Sequence, residues 1–385
     1  MNEQKESILW LARMLWPNDV RVREVELARA VQQYAPVHAL DRTSDVHVTQ
    51  RSTMQKLVFR WKMLRAPFKE LDDVRFQMPV AAFNDRYFSS DAVRYNNKQI
   101  EKALSHFKCN RVFLSSPFFF MPPTGRDYSV HFDLVDNFFD EWDDSPTGKF
   151  RTDFLTESIK RADTLSAISH ALCKLVKELT GRIATYIPNG VDVQAIQDWP
   201  DERGQKIRAK HIIGDSKLFV YIGNHHSGFD GMEMLLAAFS AAYAKDDKLK
   251  LMLVGPGSED ISASGVISIG PVPVSEVWDY FKAADVGVLS FKPCRLTHDA
   301  LPLKVLEFGA AGKPVISTPL EELQRLNFPN LQFVPFESSE WRMAMINASV
   351  KPVEVDLSEF TWARQGRALA RLILDKEVGL CRGID

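Results

Sequence analysis

The chain has 385 residues, 45% of them hydrophobic and 25% charged, with a formal net charge of -2. That length exceeds what one compact core supports and points to two domains. The balanced charge gives no footprint for nucleic acid, and no run of 18 apolar residues marks a membrane span. The opening MNEQKESILWLARM carries acids and no small-residue cleavage site, unlike a signal peptide. Cys109, Cys173, Cys294 and Cys381 form no CxxC pair. That spacing favours reduced thiols in a cytoplasmic protein over a zinc site or a disulfide framework.

Short apolar runs alternate with amphipathic segments almost from the start. Residues 8–15 read as a strand, 22–34 as a helix with Val22, Val25, Leu27, Ala28, Ala30 and Val31 at helical spacing, and 37–40 as a strand. A helix over 89–107 leads to strands at 111–116 and 127–136, then to a helix over 151–162. A strand at 164–169, a helix at 170–181 and a strand from 183 lead into the turn-forming Pro188-Asn189-Gly190. A second series follows, with strands at 217–223, 249–257, 266–270 and 285–291, and helices at 230–245 and 275–284. It closes with a helix from Leu301 and the strand KPVIST, 313–318. Such alternation calls for parallel sheets covered by helices on both faces. The expected boundary lies within IPNGVD, 187–192.

One segment departs from the alternation. Residues 51–69 contain Arg51, Lys56, Arg60, Lys62, Arg65 and Lys69, no acid, and interleaved Phe59, Trp61 and Phe68. An anionic membrane surface is one reading of it; a helix with solvated charges is the other.

The stretch LPLKVLEFGAAGKPVIST, 301–318, carries the chemistry. In a doubly wound domain, ligands gather at the carboxyl ends of the strands. Pro302 suits the first turn of a helix, and the unpaired N–H groups of that turn, Leu303 included, attract phosphate. Lys304 adds a full positive charge, and Glu307 can accept hydrogen bonds from a ribose diol. The segment fits a nucleotide diphosphate. On the other side of the chain, Asp136 follows the strand VHFDLV and is a candidate base. Asp133, three residues earlier, cannot share its face of a regular strand.

The stretch resembles the nucleotide-sugar motif of GT-B glycosyltransferases, the large family 4 (group 1) in particular. Asp299, seven residues, then Glu307 is similar to the family's acid-x7-glutamate pattern, with Asp where Glu is usual. Pro302, Lys304 and Glu307 also match its P-x-K-x-x-E variant. YIPNGVD, the strand and helix of 221–239, LMLVGPG and the helix of 360–373 extend the resemblance along most of the chain. It implies an α/β chain of two Rossmann-like doubly wound domains facing a central cleft. Residues 1–187 would bind the acceptor and 188–365 the donor, and a tail over 366–385 would return to the first domain. It implies transfer of a sugar from a UDP- or GDP-sugar to a polysaccharide, lipid-linked oligosaccharide or glycolipid, with retention and without metal. Asp136 and Asp299 would be catalytic. Gly223, Asn224, His225, Leu303, Lys304, Glu307 and Val272 would bind the donor, Val272 near the base. The implied setting is cytoplasmic, peripheral to the inner face of a membrane.

One departure matters. Many relatives place an Arg and a Lys after the first strand of the donor domain, whereas this loop reads Asn224-His225-His226-Ser227-Gly228. The departure keeps open a catalytically weak partner subunit of the same fold, and a nucleotide-sugar epimerase of related architecture is the other alternative.

Overall fold

The computed structural model describes residues 6–11, 22–42, 69–70, 75–78, 90–115, 120–141, 144–225 and 228–375. The basic segment 51–69, apart from the backbone of Lys69, lies outside them, as do Asn18, Asp19, His226, Ser227 and Cys381. The chain divides into two compact units. One includes Val22–Pro188 and everything from Ala363 on; the other is built on Asn189–Trp362.

The first unit holds β1 (Ile8–Leu11), β2 (Val37–Arg42), β3 (Lys69–Glu70), β4 (Arg75–Met78), β5 (Arg111–Leu114), β6 (Ser129–Leu134), β7 (Thr164–Ala167) and β8 (Thr185–Tyr186). They form one sheet in the order β3-β4-β2-β1-β5-β6-β7-β8. Only β3 runs antiparallel to its neighbour. β1 is buried throughout, as a central parallel strand must be. Its register places Trp10 beside Phe113, and β5 in turn places Phe113 beside His131. The Trp10 and Phe113 rings stack at 3.7 Å. The helix Trp362–Leu374 brings Gly366 so close to Ala30 that an added Cβ would lie 2.3 Å from the Ala30 methyl.

The second unit contains β9 (Lys217–Ile222), β10 (Leu249–Val254), β11 (Val266–Gly270), β12 (Val286–Leu289), β13 (Val315–Ser317) and β14 (Leu331–Phe333). Their order is β11-β10-β9-β12-β13-β14, all parallel. In chain order this is 3-2-1-4-5-6, the doubly wound pattern of dinucleotide-binding sheets. The pleat of β9 sends Leu218, Val220 and Ile222 into one core and Phe219 and Tyr221 into another. Helix Leu303–Ala310 packs Val305, Leu306 and Phe308 into the former.

Several elements differ from the sequence expectation. Helices Val193–Gln197, Asp201–Lys210, Glu321–Leu326 and Ser338–Asn347 and the edge strand β14 have no counterpart in it. β14 has three residues and none is fully buried, so it offers too little periodicity to read. Helix Pro146–Arg161 begins five residues before 151, because Ser145 caps it by accepting from the Gly148 N–H and Pro146 starts its first turn.

Candidate functional site

The sheet of the second unit changes winding direction between β9 and β12, and a crevice opens at the carboxyl ends of such strands. The two loops that leave these strands are fastened to each other. The Lys292 N–H donates to the Phe229 carbonyl at 2.9 Å, and the Ser290 hydroxyl donates to the Asp230 carbonyl at 2.8 Å. Gly231, at φ +65°, sits against Ser290 with no room for a side chain: an added Cβ would fall 1.9 Å from the Ser290 carbonyl oxygen. On the other side of β9, Gly223 and His225 donate their N–H groups to Val254 and Pro256. Gly255 approaches so closely that a Cβ there would be 2.0 Å from the Gly223 oxygen. Glycine is required where backbone meets backbone in this way.

Helix Leu303–Ala310 begins after Pro302, which caps it with no side-chain hydrogen bond. Lys304 and Glu307 stand one turn apart and are paired, Nζ to Oε2 at 2.7 Å. The lysine is 26% exposed and the glutamate 8%. The ammonium also lies 5.5 Å from the centre of the Phe281 ring, a cation–π distance. Leu303 and Glu307 border a cavity of about 20 Å3 together with Gly190, Trp278 and Trp362, room for roughly one water. Asn189, in the junction motif, donates its side-chain N–H to the Leu301 carbonyl at 2.6 Å and so fixes the approach to this helix. Gly312, at φ +67°, ends the turn that feeds β13.

The remaining expected residues are more scattered. Asp299 is fully buried, and its Oδ2 lies 3.2 Å from Nε of Arg295. The stretch between β12 and helix Leu303–Ala310 contains the helical turn Arg295–His298. Cys294 and Thr297 close its start, with the Cys294 N–H donating to Thr297 Oγ1 at 3.0 Å. Asn224 is exposed, whereas His225 is buried with its ring 4.9 Å from that of Tyr221. Val272 is half-buried just beyond β11. No group of three or more metal-ligating side chains occurs among the described residues.

Asp136 belongs to the first unit, two residues past β6, and is half-buried. Asp133, inside β6, is completely buried. It takes two bonds from Arg23, at 2.8 Å and 3.0 Å, and a third from the Ser166 hydroxyl at 2.5 Å. Burial alone would push the Asp133 carboxyl up, but the Arg23 charge and the Arg23 and Ser166 bonds together hold it below its usual value. His131 bridges Thr164 and Ser166 through its two ring nitrogens, at 2.8 Å each. Burial lowers it to about 4, so the ring is neutral. Arg23 also donates to the carbonyls of Ile187 and Pro188. The sequence reading overlooked Arg23 and Arg295. Only the i, i+4 spacing of Arg295 and Asp299 carried a signal, and it had meaning only on a helix.

Residues 216–330 match the family model described as "Glycosyl transferases group 1". The matched span lies wholly within the second unit. The matched span takes in Gly223, Asn224, His225, Val272, Asp299, Leu303, Lys304 and Glu307, but not Asp136. Curated relatives match part of the chain. TuaH of Bacillus subtilis, assigned as a teichuronic acid biosynthesis glycosyltransferase, is 31% identical over 185 residues, 44% of each chain. A phosphatidyl-myo-inositol mannosyltransferase of Mycobacterium leprae is 25% identical over 167 residues, 42% of each. The matches thus span less than half the length of these relatives. Among solved structures, a sucrose-phosphate synthase from Thermosynechococcus elongatus aligns over 98% of this chain and 97% of its own, with TM-score 0.67 and 15% identity. HepE of Anabaena, solved with UDP and glucose, aligns over 95% of each chain with TM-score 0.60 and 15% identity. The two parallel-sheet units are those of the GT-B fold.

Proposed function

We propose that the protein is a glycosyltransferase that moves a sugar from a nucleotide-diphosphate sugar to a glycan or lipid-linked acceptor. The observation that carries this reading is the Lys304–Glu307 pair, one turn into a helix at the switch point of a 3-2-1-4-5-6 sheet. The helix start attracts phosphate through its unpaired N–H groups and dipole, and Lys304 adds charge. Glu307 keeps Oε1 for a ribose diol while Oε2 holds the lysine. The solved neighbours with UDP and with UDP-glucose support a uridine nucleotide as the first donor to try. Asp136 is the proposed group facing the acceptor, and the first unit the proposed acceptor domain. Retention and independence from metal rest on the family resemblance, and so does a polysaccharide or glycolipid acceptor. In this reading the protein mainly positions the two substrates and stabilises the leaving diphosphate.

The test is a thermal-shift screen of UDP-, GDP-, ADP- and CDP-sugars on the wild type and on Glu307→Ala. A ligand that binds only the folded state raises its melting temperature. One nucleotide class that stabilises the wild type and not the variant supports the donor site and names the base. If none stabilises the wild type, the reading passes to a partner subunit that has lost donor binding. The absence of Arg and Lys from 223–231 is the feature that favours that second reading.

A further inference from the structure

Two carboxylates in the segment 294–307 are buried, and each holds a cation that is not. Asp299 is 0% exposed while its partner Arg295 is 47% exposed. Glu307 is 8% exposed while Lys304 is 26% exposed. Stability does not account for this construction twice in thirteen residues. An ion pair with one member in water contributes little, and desolvating a carboxylate is costly. What a buried acid does accomplish is to fix the direction in which an otherwise mobile cation points.

We propose that Asp299 serves as the anchor of Arg295 rather than as a contact to the sugar. Arg295 and Lys304 together then form the cation pair that receives the donor diphosphate. The proposal rests on the nucleotide-sugar reading above and assigns its phosphate-binding charges. Three observations support it. The loop after β9 has no Lys or Arg from 223 to 231, so that loop itself brings no fixed cation to a diphosphate. The loop that bears Arg295 is bonded to that same loop, through Lys292 to Phe229 and Ser290 to Asp230. Asp299 holds Arg295 through Nε, Oδ2 to Nε at 3.2 Å, while the arginine side chain is 47% exposed and reaches solvent. Guanidinium suits this task because its planar fork matches two oxygens at once. A diphosphate of about two negative charges calls for more than Lys304, whose charge is already shared with Glu307.

Calorimetric titration of the full-length protein with UDP and with UDP-glucose tests this, with GDP and GDP-mannose if the screen selects guanine. The variants are Arg295→Ala, Arg295→Lys, Asp299→Asn, the double Arg295→Ala/Asp299→Asn, and Glu307→Ala as control. Arg295→Ala is expected to weaken UDP and UDP-glucose equally, by roughly tenfold to a hundredfold, and Arg295→Lys to recover part of the loss. Asp299→Asn should weaken both ligands by a similar factor, and the double variant should be no worse than Arg295→Ala alone. Arg295→Ala leaves the buried Asp299 carboxylate without its cation and is expected to lower the melting temperature of the unliganded protein, whereas Arg295→Lys and the double variant are expected to lower it less. Two results overturn the proposal while leaving the donor site standing. One is unchanged UDP affinity in Arg295→Ala when Glu307→Ala has lost it. The other is Asp299→Asn that spares UDP but weakens UDP-glucose, the signature of an acid touching the sugar. A wild type that binds no nucleotide diphosphate removes the donor reading itself, and this assignment with it.

Discussion

Arg23 and Asp133 meet edge to edge in the interior of the first unit, Nε to Oδ2 at 2.8 Å and Nη2 to Oδ1 at 3.0 Å, across 110 positions of sequence. Both side chains are almost wholly out of water. Removing either one strands a buried charge, so Arg23→Ala and Asp133→Ala should each cost about 3–5 kcal/mol. A double Arg23→Met/Asp133→Leu variant should cost less than either single change. Urea unfolding read by linear extrapolation measures all three; a double loss equal to the sum of the two single losses would mean the charges are not coupled.

Beside that pair, His131 makes the stability of the first unit depend on pH. Its folded value of about 4 lies below the ordinary 6.5, because burial disfavours the charged ring. Between those values the unfolded chain binds a proton that the folded one does not. Stability is therefore full above pH 6.5 and falls as pH drops towards 4, by up to about 1.4 kcal/mol per pH unit. The lowered Asp133 carboxyl adds its own loss only further down, below its ordinary value of 3.8. His131→Gln should flatten the slope between pH 6.5 and 4; an unchanged slope would assign the effect to another group.

Gly231 joins the two loops of the switch point, and Gly231→Ala should be severe. Its φ of +65° and the 1.9 Å approach of the Ser290 oxygen leave no place for a methyl group. The expected loss is at least about 2 kcal/mol, from backbone strain and from the forced parting of the loops. A UDP affinity that survived this change would separate the nucleotide site from the loops after β9 and β12.

Asp136→Asn is expected to leave binding of the donor intact and to slow transfer. Loss of a general base typically costs a factor of about 10^2 to 10^4. The assay is incorporation of labelled sugar in a cell extract that supplies its own acceptors, with donor affinity measured in parallel. Normal incorporation would move the acceptor-side role to another residue.

Much of this was legible before any coordinates, because it is set by neighbours in sequence. The alternation of apolar and amphipathic runs announces strands and helices, since a strand buried on both faces must be apolar and a covering helix must keep its 3.6-residue face. Pro302, Lys304 and Glu307 lie within two turns, so their meeting at one helix start could be read directly from their spacing. Short marginal elements escaped. β14 has three residues, and the turn Arg295–His298 depends on a Cys294–Thr297 closure rather than on periodicity.

Tertiary structure alone decided which groups became neighbours and which lost their water. The order 3-2-1-4-5-6 brings the loops after β9 and β12 together although more than sixty residues separate Asp230 from Lys292. Asp133 was readable as a carboxylate near a strand end, but not as the partner of Arg23. Asp299 was readable as half of a motif, but not as a fully enclosed acid that holds an exposed arginine. The physical reason is common to all three. Secondary structure follows from local sterics and the apolar pattern, whereas the worth of a charge depends on its dielectric surroundings, and those exist only once the sheets and their covering helices have assembled.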